Sequence, residues 1–177
     1  VHLCEGTLNW MEGRAEPDLA ELARRLLRDR RFARIVDSPS ATLESGARPR
    51  TVLTRNDLIN AVPAVDGIKT GYTSQAGYVL VGSATASNGA RVISVVLGEP
   101  SEAARDAESL ELLRYGLAQY RRVPVLREGR AVRRAAVAYR DETVALVPPR
   151  PLAVTARRHQ RISARVEAPD GLRGGIG

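Results

Sequence analysis

The chain has 177 residues, enough for one ordinary domain or for a domain with a small module attached. It is 44% hydrophobic but only 4% aromatic, so its core must rest on Leu, Val, Ala and Ile, and no apolar run approaches the ~18 residues of a membrane span. The net charge is +7, but arginines run along the whole length and alternate with acids, without interleaved aromatics; this argues against a nucleic-acid partner and leaves attraction to anionic polymers such as cell-wall material.

Residues 1–15 show no period and no basic-then-apolar signal pattern, and stand as an unplaced leader. Cys4 is the single cysteine, which excludes an internal disulfide. It reads as a small, partly buried residue; as a nucleophile it would need a base, and only His2 is near. His2 and His159 both read as surface residues. Asp18 with Glu21 three positions on resembles a capping box, and Leu19, Leu22, Ala23, Leu26 and Leu27 follow at helical spacing. The pattern predicts a helix over 18–29 with a short continuation to Val36, broken at Ser38-Pro39-Ser40. Residues 41–64 read as extended structure and loop, with a short strand at 51–54. Two apolar runs, 77–85 and 91–97, flank Asn88-Gly89 and predict a hairpin of two largely buried strands. Ser101 then caps a helix whose stripe is Ala103, Ala107, Leu110, Leu113 and Leu117, with Gly116 marking its end.

From Tyr120 to Pro124 the character changes. Short β-type runs at 131–139, 143–147, 152–157 and 161–167, separated by polar or Pro-rich breaks, are the signature of a small all-β module. The expected organisation is a leader over 1–15, an α+β layer over 16–122 and a β-rich domain over 123–177, the last incomplete. No metal or organic cofactor is expected.

The chain carries 27 basic residues and Lys69 is the only lysine among them. An ammonium that survives where arginine is used everywhere else marks a position where a planar guanidinium does not serve. Lys69-Thr70-Gly71 offers in succession a charge, a hydroxyl and a backbone position free of side chain. At a strand edge an extended peptide could pair with such a segment, Gly71 allowing close approach while Lys69 and Thr70 hold a carboxylate. The bland alternative is a strand-edge turn with a solvated lysine, since a triplet is weak by itself.

The longer block Val65-Asp66-Gly67-Ile68-Lys69-Thr70-Gly71-Tyr72-Thr73, with Ala76-Gly77-Tyr78, resembles the third motif region of the D-alanyl-D-alanine carboxypeptidases, the low-molecular-mass penicillin-binding proteins of serine type. The likeness covers roughly 16–177, through Leu97-Gly98-Glu99-Pro100-Ser101-Glu102. The resemblance implies an α+β fold: part of a penicillin-binding-protein or β-lactamase-like transpeptidase layer, helix–antiparallel strands–helix, followed by a small all-β module. It implies that Lys69 organises the electrostatics of the site, that Thr70 binds the terminal carboxylate of the substrate, and that the amide of Tyr72 is one of two oxyanion donors. Arg105 matches a carboxylate-binding arginine of the family; an ordinary helix-surface arginine remains the alternative. The substrate so implied is a peptidoglycan stem peptide ending in D-Ala-D-Ala, with β-lactams as inhibitors and an extracytoplasmic, periplasmic or cell-wall-facing location.

The family's Ser-x-x-Lys and Ser-x-Asn motifs are absent from these residues. The expectation is therefore the C-terminal portion of such an enzyme, inactive by itself because acyl transfer needs the activated serine, and prone to aggregate through an uncovered sheet face. The alternative is a non-catalytic module that binds cell-wall peptides or a partner.

Overall fold

The structure is a computed structural model and describes residues 15–138 and 141–167. The expectations for the leader, including Cys4 and His2, lie outside these residues. Two compact units divide at Ala118/Gln119.

The first unit begins with α1 (Ala15–Leu26) and α2 (Arg30–Val36). These are two helices where one interrupted helix was expected, and Asp29 is the cause. Its backbone is extended and its carboxylate accepts from the amides of Arg31 and Phe32, so it ends one helix and starts the next. Asp18 falls inside α1 rather than at its cap. A hairpin of β1 (Ser40–Leu43) and β2 (Arg50–Leu53) follows, then a single turn, α3 (Leu58–Ala61). Neither β1 nor α3 was separable from loop in the sequence.

The centre of the unit is an antiparallel sheet of β3 (Val65–Thr73), β4 (Gly77–Thr85) and β5 (Arg91–Glu99), in that spatial order. The hairpin expected at Asn88-Gly89 joins β4 to β5, with the amide of Ala90 donating to the Asn88 side chain. α4 (Glu102–Ala118) then runs back across the sheet. Gly116 lies inside α4, not at its end, and a Cβ there would sit 3.2 Å from Val92 Cγ1. Helix and sheet approach closely because the facing residues are small. Ser94 and Ser109 share a buried 2.8 Å hydrogen bond, and a Cβ on Gly82 would stand 2.6 Å from one hydroxyl oxygen and 2.7 Å from the other. Leu58, Val65, Leu80, Ala84 and Leu113 close the core on this face.

On the opposite face Val79, Val81, Ile93 and Val95 are half-buried, with α1 packed against β5 and β4. The expected bare sheet face is therefore partly covered. The most exposed apolar side chains lie elsewhere, Ile35 on α2 and Leu53 on β2.

The second unit contains β6 (Tyr120–Leu126) paired with β9 (Leu152–Arg157), and β7 (Arg133–Ala136) paired with β8 (Thr143–Leu146). β6 spans the 122/123 point where the sequence changes character, and its Pro124 sits beside a register shift, where a missing N–H costs no regular ladder bond. The run 161–167 alternates like a strand but, among the described residues, has no ladder partner and forms no strand. Charge is divided unequally. Residues 119–177 hold 13 arginines against five acids, a net +8, whereas residues 1–118 hold 14 basic and 15 acidic residues, a net −1. The even spread expected from the whole chain does not hold unit by unit.

The close helix–sheet contact gives a direct test. Gly82→Ala must push α4 outward or strain the two serines, costing about 1–3 kcal/mol. Thermal unfolding should show a melting temperature lower by ~4 °C or more; an unchanged value would mean that α4 stands farther from the sheet.

Candidate functional site

β3 pairs with β4 on one side and, among the described residues, with no strand on the other. An edge strand leaves alternate amides and carbonyls open to an incoming chain. Lys69-Thr70-Gly71 lies in the middle of this nine-residue strand rather than at its end, as the triplet alone had suggested. Cross-strand register places Lys69 opposite Val81, Thr70 opposite Leu80, Gly71 opposite Val79 and Tyr72 opposite Tyr78. Because side chains alternate, Lys69 shares the half-covered face with Val81, while Thr70 shares the face of Leu80 that α4 covers. Lys69 is exposed and its ammonium turns back onto the carbonyl of Thr70.

Gly71 has a reason of its own. A Cβ there would lie 2.8 Å from Val79 Cγ2, so a side chain would force the cross-strand valine to move. Tyr72 is largely exposed and its ring packs on Tyr78, centroids 4.4 Å apart. At the tip, the amide of Ala76 donates to Thr73 Oγ1 and closes the turn into β4.

Two sets of residues not singled out in the sequence hold this strand in place. At its start a β-bulge between Val65 and Gly67 interrupts the register. Gly67 has φ +144 and abuts Val36, a backbone shape and a space that suit only glycine. Its carbonyl accepts from Nδ2 of Asn56, which is 4% exposed and whose own amide donates to Thr54 Oγ1. Beside the bulge, Thr85 Oγ1 donates to Asp66 Oδ2 at 2.5 Å and Arg91 reaches both, at 2.8 Å to Thr85 and 3.0 Å to Asp66. That network ties one residue from each strand of the sheet. Their spacing in the chain, 66, 85 and 91, carries no local pattern; only the strand register could have grouped them.

Arg105 is not the surface arginine of the bland alternative, for it is 2% exposed. It lies in the first turn of α4. Ser109, four residues on along the same face, meets Gly82, so Arg105 lies on the side of α4 that packs on β4 and β5. Its Nε donates to Asp106 Oδ1 at 2.9 Å, Nη2 lies 2.8 Å from the same oxygen without an aligned hydrogen bond, and Glu102 stands 4.0 Å from Nη1. Burial pushes the Asp106 carboxyl above its ordinary pKa, against the pull of Arg105, and the negative charge of Asp57 at the start of α3 adds to the rise. No group of His, Cys, Asp and Glu suited to a metal ion occurs among the described residues.

Residues 13–101 match the family model for D-alanyl-D-alanine carboxypeptidase. The chain is 49% identical over 78 residues to the D-alanyl-D-alanine carboxypeptidase DacA of Haemophilus influenzae, covering 44% of this chain and 20% of that protein. It is 32% identical over 125 residues to DacF of Bacillus subtilis, covering 68% of this chain and 31% of that one. Among solved structures, penicillin-binding protein 5 of H. influenzae aligns with a TM-score of 0.54 at 34% identity, over 80% of this chain and 41% of that one. A peptidoglycan synthesis regulatory factor, PBP3 of Streptococcus pneumoniae, aligns at 0.57 and 27%, over 81% and 42%. The chain thus spans about a fifth to a third of these curated relatives.

If Asn56 holds the bulge, Asn56→Asp removes the donor and sets a carboxylate against the Gly67 carbonyl. Cross-strand NOEs pairing Lys69 with Val81 and Thr70 with Leu80 should weaken and amides 68–73 should exchange faster, whereas Leu58→Ala, which loosens the same core without touching Gly67, should leave that register intact.

Two carboxyls should titrate in opposite directions. Hydrogen bonds from Arg24 and then Arg25 lower Glu21 to about 2, so its contribution to stability is present above its unfolded pKa and fades as pH falls toward 2. Asp106, raised by burial, contributes most below its unfolded pKa, and that contribution is lost as pH climbs through its folded value. Carboxyl-carbon NMR titration should show the Asp106 midpoint above 3.8, the ordinary aspartate value, and that of Glu21 well below 4.5, the ordinary glutamate value.

Proposed function

We propose, for a chain that belongs to the D-alanyl-D-alanine carboxypeptidase family, that it supplies the substrate-binding strand of a serine-type enzyme trimming peptidoglycan stem peptides. The open edge of β3 supports this reading most directly: it offers Lys69 and Thr70 beside an unpaired backbone, with Tyr72 two residues beyond Thr70. A stem peptide ending in D-Ala-D-Ala would lie antiparallel or parallel to β3 and bond to its main chain. The Lys69 ammonium and the Thr70 hydroxyl would take its terminal carboxylate, and Arg105, buried in the first turn of α4, would add positive potential.

The chemistry follows from that placement. A serine hydroxyl attacks the penultimate D-Ala carbonyl, the Tyr72 amide helps to hold the oxyanion, and the terminal D-Ala departs as its nitrogen gains a proton. Water then cleaves the acyl-serine ester. The nucleophile of the family comes from Ser-x-x-Lys, and these 177 residues contain none. β-Lactams would occupy the same strand edge through their own carboxylate. The location implied is extracytoplasmic, facing the cell wall; no described helix is long and apolar enough to cross a membrane.

A second reading, a non-catalytic module that binds cell-wall peptides, draws support from the same absence of the serine motif. The strand-edge binding that both readings require is directly testable. NMR titration of the chain with an acetylated Lys-D-Ala-D-Ala peptide should shift amides 69–73, and Lys69→Ala should weaken binding about tenfold, as expected for a lost charge-assisted contact. The L-Ala-L-Ala peptide should bind less. Mass spectrometry after incubation with a β-lactam should show no covalent adduct on these residues alone. An adduct, or shifts scattered away from β3, would sink the assignment.

A further inference from the structure

The unequal charge of the two units has no counterpart in the strand-edge site. Residues 119–177 carry a net +8 while the unit that holds Lys69 is close to neutral at −1. Every described arginine of the second unit is exposed. The β6–β9 ladder sorts them by face. Tyr120 stands opposite Arg157 and Arg122 opposite Thr155, so Arg122 and Arg157 are diagonal neighbours on one face. The other face holds Val123 opposite Val154 and the buried Ala156, which makes it the core side, with the exposed Arg121 opposite Ala156 at its margin. On the solvent face, two guanidiniums therefore sit side by side, and among the described residues no acid pairs with either. Arg127 and Arg130 lie beyond one end of β6, and Arg158 and Arg161 beyond the end of β9.

Like charges set side by side repel one another, an arrangement costly for a free protein and favourable when an anion bridges them. Arginine forks suit carboxylates, which they can bind in pairs. We propose that this arginine face docks the carboxylate-bearing glycopeptide polymer of the cell wall, so that the chain binds its substrate polymer at two places: the terminal peptide on β3 and the acidic stems of neighbouring strands on β6–β9. The choice of polymer rests on the function proposed above. The second contact adds effective concentration rather than chemistry: held on the polymer by many weak charge contacts, the chain meets free peptide ends without leaving it.

The test is cosedimentation of the full chain with insoluble peptidoglycan stripped of phosphate-bearing polymers, at ~50 mM and ~500 mM salt, where screening shortens from over 10 Å to under 5 Å. Arg122→Glu/Arg157→Glu should lower the bound fraction at low salt about tenfold or more. Arg48→Glu/Arg114→Glu changes net charge equally, at exposed positions of the first unit, and should leave binding nearly unchanged. Lys69→Ala should keep polymer binding while losing the soluble D-Ala-D-Ala peptide. Equal loss in both double variants would show that net charge alone matters and overturn the proposal. So would the absence of binding to stripped peptidoglycan by a chain that binds anionic vesicles, phosphate polymers or DNA. Polymer binding that depends on Arg122 and Arg157 in a chain indifferent to the soluble peptide would keep the docking face and remove the strand-edge function instead.

Discussion

The phase of β3 governs the rest of the first unit. Strand side chains alternate with a period of two, so a slip of one residue would turn Lys69 toward α4 and Thr70 toward the half-covered face. The bulge between Val65 and Gly67 sets that phase, and it is held from three directions. Val36 fills the space where a Cβ on Gly67 would be, Asn56 takes the Gly67 carbonyl, and Asp66 is pinned to Thr85 and Arg91. A bulge is otherwise a soft spot in a ladder, and a buried amide and an ion pair at the same place make it a stable one. The Asp66–Arg91 pair is partly exposed and would contribute little as an isolated contact. Its value lies in joining the outer strands through Thr85 on the middle one.

The same sheet places Arg105 through packing rather than through a direct bond. Gly82, Ser94 and Ser109 bring α4 close to β4 and β5, and Arg105, one turn before Ser109 on the same face, is buried while Glu102 and Ala103 stay exposed. A buried guanidinium is costly unless paired, and Asp106 beside it carries most of that pairing. Burial meanwhile works against the Asp106 charge, so the pair is a compromise between two desolvated groups.

Much of this was legible in the residues, and the misses share a cause. The β4–β5 hairpin could be read because Asn88-Gly89 is local turn chemistry between two apolar runs. α4 could be read because Leu110, Leu113 and Leu117 repeat at helical spacing and face the core, although Ala103 and Ala107 of the expected stripe are exposed and the buried face continues through Ser109 and Arg105. Lys69 stood out by composition alone. What was missed depends on partners distant in the chain. Asn56 looks like any loop asparagine until β3 brings Gly67 to it. β6 was hidden because Arg121, Arg122 and Pro124 do not resemble a strand interior, and only β9 makes it one. Conversely, 161–167 has the alternation of a strand and no neighbour to pair with. Gly116 looked like a helix stop because glycine often is one; here it is the flat spot on which Val92 rests.

The distribution of basic residues separates two kinds of work. On β6–β9 many exposed arginines present planar forks, each contributing little, and their sum is long-ranged attraction without a single preferred geometry. At β3 one ammonium stands on an open strand edge, where a bulky fork would crowd the main-chain groups that an incoming peptide must reach. A compact charge on a flexible stem can lie against its own backbone, as Lys69 does against the Thr70 carbonyl, and swing out when an anion arrives. Arg105 differs from both, since burial and its pairing with Asp106 deny it that freedom. The cations thus differ in shape and burial, and the lone lysine is the one whose replacement by arginine would change the geometry as well as the charge distribution.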